Sequence, residues 1–97
     1  MEKLVRDKIP DIIRADGEEP SIRIASKDEF YTLLVQKLDE EVDEFKKDND
    51  VEELADVLEV VYCIAKENGI SKERLEEIRK RKAASRGGFK EMIIWER

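Results

Sequence analysis

Apolar residues in the middle of the chain recur at the three- and four-residue spacing of amphipathic helices. The first helical stretch begins at Ser26, and Glu29 follows three residues later, which is the pattern of a capping box. It continues to about Lys47, where the polar cluster at residues 48–50 predicts a turn. A second helix is predicted from about Val51 to Glu67, so the centre of the chain is expected to form a helical hairpin.

The flanking regions predict shorter elements. Residues 4–13 form a short amphipathic segment interrupted at Pro10, and residues 21–25 alternate in the manner of an extended piece. Residues 72–84 predict a third helix with few apolar positions. Residues 90–96 predict either a docked tail or a short strand that pairs with residues 21–25.

These elements predict an all-α fold in a single domain, residues 1–97. The hairpin with its short third helix is expected to form a four-helix-type bundle on oligomerisation. The second helix has an apolar arc too wide for one neighbouring helix, and a chain of 97 residues buries only a modest share of its surface. We therefore expect a homodimer or a dimer of dimers.

Two pairs of acids border the apolar stripes of the two central helices. Glu41 and Glu44 lie on the first helix, and Glu53 and Asp56 lie on the second. Carboxylates are rarely buried unless they are paired or bind a metal, and residues three apart on a helix lie about 5–6 Å from one another. The pattern predicts a four-carboxylate cage for Mg²⁺, or for Mn²⁺. The alternative is a solvated helix face, since charged residues make up 45% of the chain.

The charge of the chain is unevenly distributed. Residues 28–67 hold 14 acids and 4 bases, net −10, whereas residues 71–97 hold 9 bases and 5 acids, net +4. An acidic centre argues against a nucleic-acid polymer as partner, although the same distribution is also compatible with simple internal charge balance. The absence of histidine excludes Ser-His and Cys-His nucleophiles and the usual zinc ligand sets.

Cellular location follows from what the sequence lacks. No run of 18 apolar residues predicts a membrane span, so no membrane partner is expected, and the first ten residues lack the apolar region of a signal peptide. One cysteine, Cys63, has no internal partner for a disulfide. These features favour a cytoplasmic protein.

With these residues located, the sequence resembles the MazG-like superfamily of all-α nucleotide pyrophosphohydrolases. The motif of that superfamily, EExxE followed by ExxD, is matched at residues 40–44 and 53–56. A subfamily annotated for phosphoribosyl-ATP pyrophosphohydrolase-like or house-cleaning activity also begins with a segment like residues 3–10 and ends with one like residues 86–89. The gap of eight residues between Glu44 and Glu53 is shorter than in many members of the superfamily.

The resemblance implies Mg²⁺ held by Glu41, Glu44, Glu53 and Asp56. It implies hydrolysis of the α–β phosphate bond of a nucleoside triphosphate, which gives a monophosphate and pyrophosphate. Glu41 or Glu40 is the candidate general base, and the angular position of Glu40 on the helix counts against it.

Five basic residues are candidates for binding the phosphates of the nucleotide substrate. Ion pairs with the acidic helices or solvated charges are the alternative for each of them. The candidates are Arg6, Lys8, Lys37, Lys82 and Arg86.

Two rival functions remain open from the sequence. The first is phosphoribosyl-ATP pyrophosphohydrolase of histidine biosynthesis, which has the same chemistry and a different substrate. The second is a non-catalytic helical bundle that binds a nucleotide or a protein, against which the intact acid pairs argue. The base and sugar of the substrate are left open.

Overall fold

The computed structural model describes residues 2–96, which form four helices and no strand. The helices are α1 (Ile9–Ala15), α2 (Lys27–Asp48), α3 (Val51–Glu67) and α4 (Lys72–Arg86). The prediction of an all-α fold is therefore confirmed for this part of the chain. Only the second half of the predicted segment 4–13 is helical, since α1 begins at Ile9. Pro10 does not interrupt this helix, because it lies in the first turn, where a missing N–H costs nothing.

Local signals at the helix ends define the α2–α3 hairpin. The Ser26 hydroxyl accepts a hydrogen bond from the Glu29 N–H at 3.3 Å, and the Glu29 carboxylate accepts one from the Ser26 N–H at 2.9 Å. At the other end of α2, Asn49 adopts a left-handed conformation with φ 51°. The Asp50 side chain then caps α3, so only two residues separate the antiparallel helices.

The hairpin of a single chain encloses only a small core. Leu34 of α2 and Val60 of α3 are the buried apolar residues, at 5% and 9% exposure. Leu54 and Leu58, on the apolar side of α3, each remain 47% exposed. The radius of gyration is 17.3 Å, whereas a compact chain of this length has about 13 Å. The hairpin therefore presents an apolar face that one copy of the chain does not cover.

Ion pairs attach the segment before α2 to the hairpin. Arg23 contacts Glu2 at 2.9 Å and Glu29 at 2.6 Å. Its guanidinium, with the Ser26 N–H, lowers the pKa of Glu29 to about 2. These groups are solvent-exposed, so the pairs position the segment more than they stabilise the fold.

The prediction of a C-terminal strand is wrong for the described residues. Residues 92–96 form neither helix nor strand and do not pair with residues 21–25. Met92 has φ 57°, which interrupts an extended conformation, and the apolar side chains are not docked either. Phe89, Met92 and Ile94 are 98%, 85% and 82% exposed. A lone strand without a partner gains no ladder of hydrogen bonds, which explains the failure of the pattern.

No described helix is long and apolar enough to cross a membrane.

Replacing the central core residue should show how much of the stability rests on the hairpin. We expect Leu34→Ala to reduce the free energy of unfolding by about 2–4 kcal/mol, because it removes buried methyl groups and leaves a cavity. The control is Thr32→Ala, on the exposed side of the same helix, which should change it by less than about 0.5 kcal/mol. Urea denaturation at a fixed protein concentration measures both, and equal effects would contradict this description of the core.

Candidate metal centre

Three carboxylates meet at the turn end of the α2–α3 hairpin. Glu44, Asp48 and Glu53 each place one oxygen within 4.8 Å of the other two. Glu44 and Asp48 lie one helical turn apart near the end of α2, and Glu53 lies in the first turn of α3. The two-residue connection brings these turns together, so the position of the cluster follows from the cap residues at the turn.

The cluster is electrostatically unfavourable without a cation. Partial burial, a hydrogen bond with Asp48 and repulsion from Asp48, Glu44 and Asp50 raise the pKa of Glu53 to about 7. At neutral pH a proton therefore partly offsets the negative charge of the cluster. Glu44 and Asp48 are exposed. Hard oxygen ligands open to water fit Mg²⁺, which retains several waters when bound.

The cluster only partly coincides with the predicted four-carboxylate cage. Glu44 and Glu53 are brought together as predicted, but Glu41 and Asp56 do not belong to the cluster. Asp48 joins it instead, and the sequence analysis had assigned Asp48 to the turn alone. Its spacing of four residues from Glu44 was the signal that would have found it.

Cationic side chains neutralise the two acids that lie outside the cluster. The Glu41 carboxylate, 16% exposed, lies 3.3 Å from the Lys37 ammonium. Arg6 donates a hydrogen bond of 2.6 Å to Asp56, across 50 residues of sequence. Lys37 and Arg6 were both predicted to bind substrate phosphates, and in this structure they contact acids of the predicted cage.

Glu40 also lies among cations. Lys3 and Lys37 approach one of its oxygens at 3.1 and 3.4 Å. The hydrogen bond from Lys3 is the main cause that lowers the pKa of Glu40. A carboxylate held in its anionic form is a weak proton acceptor, so this environment favours Glu41 over Glu40 as a general base.

A cleft of about 250 Å³ lies between residues 2–4 and α2. Lys3, Lys37 and Glu40 form its polar wall, and Leu4 and Leu33 form its apolar wall. Glu2 also lines the cleft, and both lysines pair with Glu40, so the cleft offers no surplus of positive charge.

The remaining predicted phosphate ligands form no ion pair with the acids of the hairpin in the described structure. Lys8 precedes α1, and Lys82 and Arg86 lie in the last two turns of α4; all three are exposed. Within one chain, therefore, the described structure does not bring these three to the acidic cluster.

Comparison with known proteins leaves the family of the chain open. No family model matches the chain, and no solved structure matches it. A protein of Mycolicibacterium smegmatis, described as uncharacterized, is 54% identical over 46 residues. The match covers 47% of this chain and 47% of that protein, so the chain matches about half of its relative's length.

The charge repulsion within the cluster can be tested at Asp48. We expect Asp48→Asn to lower the pKa of Glu53 from about 7 toward its ordinary value of 4.5, because one of the charges that raises it is removed. A carbon-detected NMR titration of the Glu53 carboxyl measures this value. The control is Asp39→Asn, at an exposed position on the same helix outside the cluster, which should leave the pKa of Glu53 unchanged. The cluster geometry would be contradicted if both variants gave the wild-type titration.

Proposed function

We propose that the chain is a Mg²⁺-dependent nucleotide pyrophosphohydrolase of the MazG-like type, which it resembles in sequence. Its substrate would be a nucleoside triphosphate or a related nucleotide, hydrolysed to the monophosphate and pyrophosphate. The observation that carries the proposal is the convergence of Glu44, Asp48 and Glu53 at one end of the hairpin. Two further motif acids, Glu41 and Asp56, lie on the same two helices.

The residues present fit a hard divalent cation. Glu44, Asp48 and Glu53 would hold it, and Glu41 and Asp56 are the further ligands that the resemblance implies. When bound, Mg²⁺ or Mn²⁺ would neutralise phosphate charge and lower the pKa of a coordinated water. The affinity of this site depends on removal of the proton that Glu53 retains at neutral pH.

The cationic side chains would then change partners. Arg6, released from Asp56, would present its guanidinium fork to phosphate oxygens. Lys37 holds the Glu41 carboxylate at 3.3 Å and would orient it toward the attacking water, whose proton Glu41 accepts. Glu40, which Lys3 and Lys37 hold in its anionic form, is the weaker alternative for this role.

The basic half of α4 supports a substrate with several phosphates. Residues 79–90 contain six cationic side chains and no acid. Lys82 and Arg86 belong to this stretch, which lies outside the hairpin of its own chain. Together with Lys8 these residues would contact the distal phosphates of a nucleotide from a neighbouring copy.

The proposal includes assembly into a homodimer or a dimer of dimers. The uncovered apolar positions on α3, Leu54 and Leu58, are matched on α2 by Tyr31 and Val35, which are 39% and 42% exposed. Packing of these faces across a two-fold axis would complete a four-helix bundle. We place the activity in the cytoplasm, where the single thiol of Cys63 remains reduced.

Loss of one ligand charge tests the enzymatic proposal. Glu53→Gln should abolish Mg²⁺-dependent release of pyrophosphate while the protein stays folded, since the neutral side chain also removes repulsion within the cluster. Glu52→Gln is the matched control, one residue away and exposed, and should remain active. Circular dichroism reports folding in both variants.

The same assay distinguishes the rival functions when it is run over a panel of substrates. Nucleoside triphosphates and phosphoribosyl-ATP are compared, with and without Mg²⁺. Release from phosphoribosyl-ATP alone would favour the histidine-biosynthesis function. If the folded wild-type protein releases no pyrophosphate from any of these substrates, the result would favour the rival function, a non-catalytic binding bundle.

Proton and metal should compete for Glu53. Its folded-state pKa of about 7 lies above the ordinary 4.5. Protonation therefore stabilises the metal-free fold as the pH falls through 7, and this contribution is complete below 4.5. Mg²⁺ requires the deprotonated form and binds only the native cluster. We expect the rise in melting temperature caused by millimolar Mg²⁺ to be larger at pH 8 than at pH 6, and differential scanning fluorimetry measures it. An equal rise at both pH values, or none, would count against the site.

A further inference from the structure

The last ten described residues form an exposed apolar arm. We call residues 87–96 the C-terminal arm; it begins at Gly87, whose φ of 83° turns the chain away from the end of α4. Phe89, Met92, Ile93 and Ile94 are exposed by 98%, 85%, 85% and 82%. Four large apolar side chains so close together in sequence rarely remain in water in a folded assembly.

A second uncovered apolar element lies before α2. We call residues 20–25 the N-terminal segment. Arg23 is held toward the rest of the chain by Glu2 and Glu29. Ile22 and Ile24, its neighbours on either side, are 54% and 88% exposed. The exposure of both isoleucines shows that the rest of the described chain leaves more than half of each side chain uncovered.

We propose that the C-terminal arm of one copy, with its turn at residues 89–92 opened, pairs with the N-terminal segment of a second copy as a two-stranded ribbon. The arm would cover Ile22 and Ile24, and the backbone groups of both segments would gain partners. By two-fold symmetry each pair of copies forms two such ribbons. The inference needs two copies of the chain but does not rest on hydrolase activity.

The dimensions of α4 explain why the partner is a second copy. The Tyr31 hydroxyl accepts a hydrogen bond from Asn68, so the start of α2 lies beside the end of α3. The helix α4 begins there, with the Lys72 ammonium 4.9 Å from the Tyr62 ring. Its 15 residues carry the root of the arm about 22 Å along the helix axis.

The arm is too short to form the ribbon within its own chain. The eight residues 89–96 reach at most about 26–29 Å when fully extended. They would use almost all of this length to return along α4 to the N-terminal segment. Too little would remain for a ribbon of four or five residues, whereas the arm of a second copy is not constrained in this way.

Area and charge favour the same occupant. Phe89, at 98% exposure, would supply about 150–250 Å² toward the roughly 800 Å² per partner of a stable interface. Arg86 and Lys90 flank the start of the arm, and the loop before the N-terminal segment carries acids. These exposed acids are Asp16 and Glu18, since Glu19 already pairs with Arg14 at 3.2 Å.

Cross-linking between differently sized chains tests the proposal directly. All chains carry Cys63→Ser; one population carries Ile24→Cys, and another, with a longer tag, carries Ile94→Cys. After mixing, a short bismaleimide should join the two populations into a heterodimer. In the control, Ile12→Cys replaces Ile24→Cys at another exposed apolar position (54%) and should give no heterodimer.

Two results would overturn the proposal. One is the absence of the heterodimer above the control. The other is a cross-link within single chains when Ile24→Cys and Ile94→Cys are combined in one chain and diluted into wild-type protein. The same cross-linking is repeated with chains that also carry Glu53→Gln. If these chains release no pyrophosphate but still form the heterodimer, the ribbon stands independently of the proposed enzymatic activity.

Association strength gives a second, independent measurement. Sedimentation of the full chain should show that Ile94→Ser raises the dimer dissociation constant by about tenfold or more, since a buried apolar side chain is lost. Ile12→Ser should leave the constant unchanged, and circular dichroism checks that both variants remain helical. An unchanged constant for Ile94→Ser would contradict the ribbon.

Discussion

The tight connection between α2 and α3 determines where the acidic cluster of this chain lies. Asn49 takes a left-handed conformation and Asp50 caps α3, so the two helices reverse direction within two residues. The acids of the last turns of α2 and the first turn of α3 are thereby held within a few ångströms of one another. A longer connection would let them separate, and mutual repulsion would favour that. The hairpin thus maintains an unfavourable charge arrangement, which the proposed divalent cation would relieve.

The chain reduces the repulsion among the acids of the hairpin in two ways, by a proton within the cluster and by ion pairs to the two acids outside it. Glu53 retains a proton up to about pH 7, and Arg6 and Lys37 pair with Asp56 and Glu41. An exposed ion pair such as Arg6–Asp56 contributes little to stability, typically below about 1 kcal/mol. Exchange of these partners would therefore be energetically inexpensive, and in the proposed function the same cations would then bind the phosphates of the substrate. Acids without such partners would gain more free energy from binding a metal, but they would destabilise the metal-free fold.

The helices and their ends were predictable because their signals are local. Ser26 with Glu29, and the polar residues at 48–50, define helix ends through bonds that span three or four residues. Contacts between distant parts of the chain were not predictable in the same way. The Arg6–Asp56 pair joins residues 50 apart, and no periodic pattern indicates it.

The candidate site was predictable in part for the same reason. The helical wheel placed Glu44 and Glu53 beside the apolar stripe, and both lie in the cluster. Asp48 was missed because a turn assignment obscured its position one helical turn after Glu44. The predicted strand at residues 90–96 failed because a strand exists only with a partner, and alternation of side chains reports only the tendency to pair.

The exposed apolar surface connects these observations. Leu34 and Val60 alone are buried among the described residues, although the apolar pattern of α2 and α3 is that of helices covered on two sides. The apolar pattern of the helices therefore indicates surfaces that one copy of the chain cannot bury. The charges are also incompletely matched within one chain. The basic residues of α4 form ion pairs mainly with acids in the first turns of the same helix. In the proposed dimer, a second copy would supply the partners for the apolar faces and charges that remain unmatched within one chain, and the proposed site at the hairpin would draw its cations from across that interface.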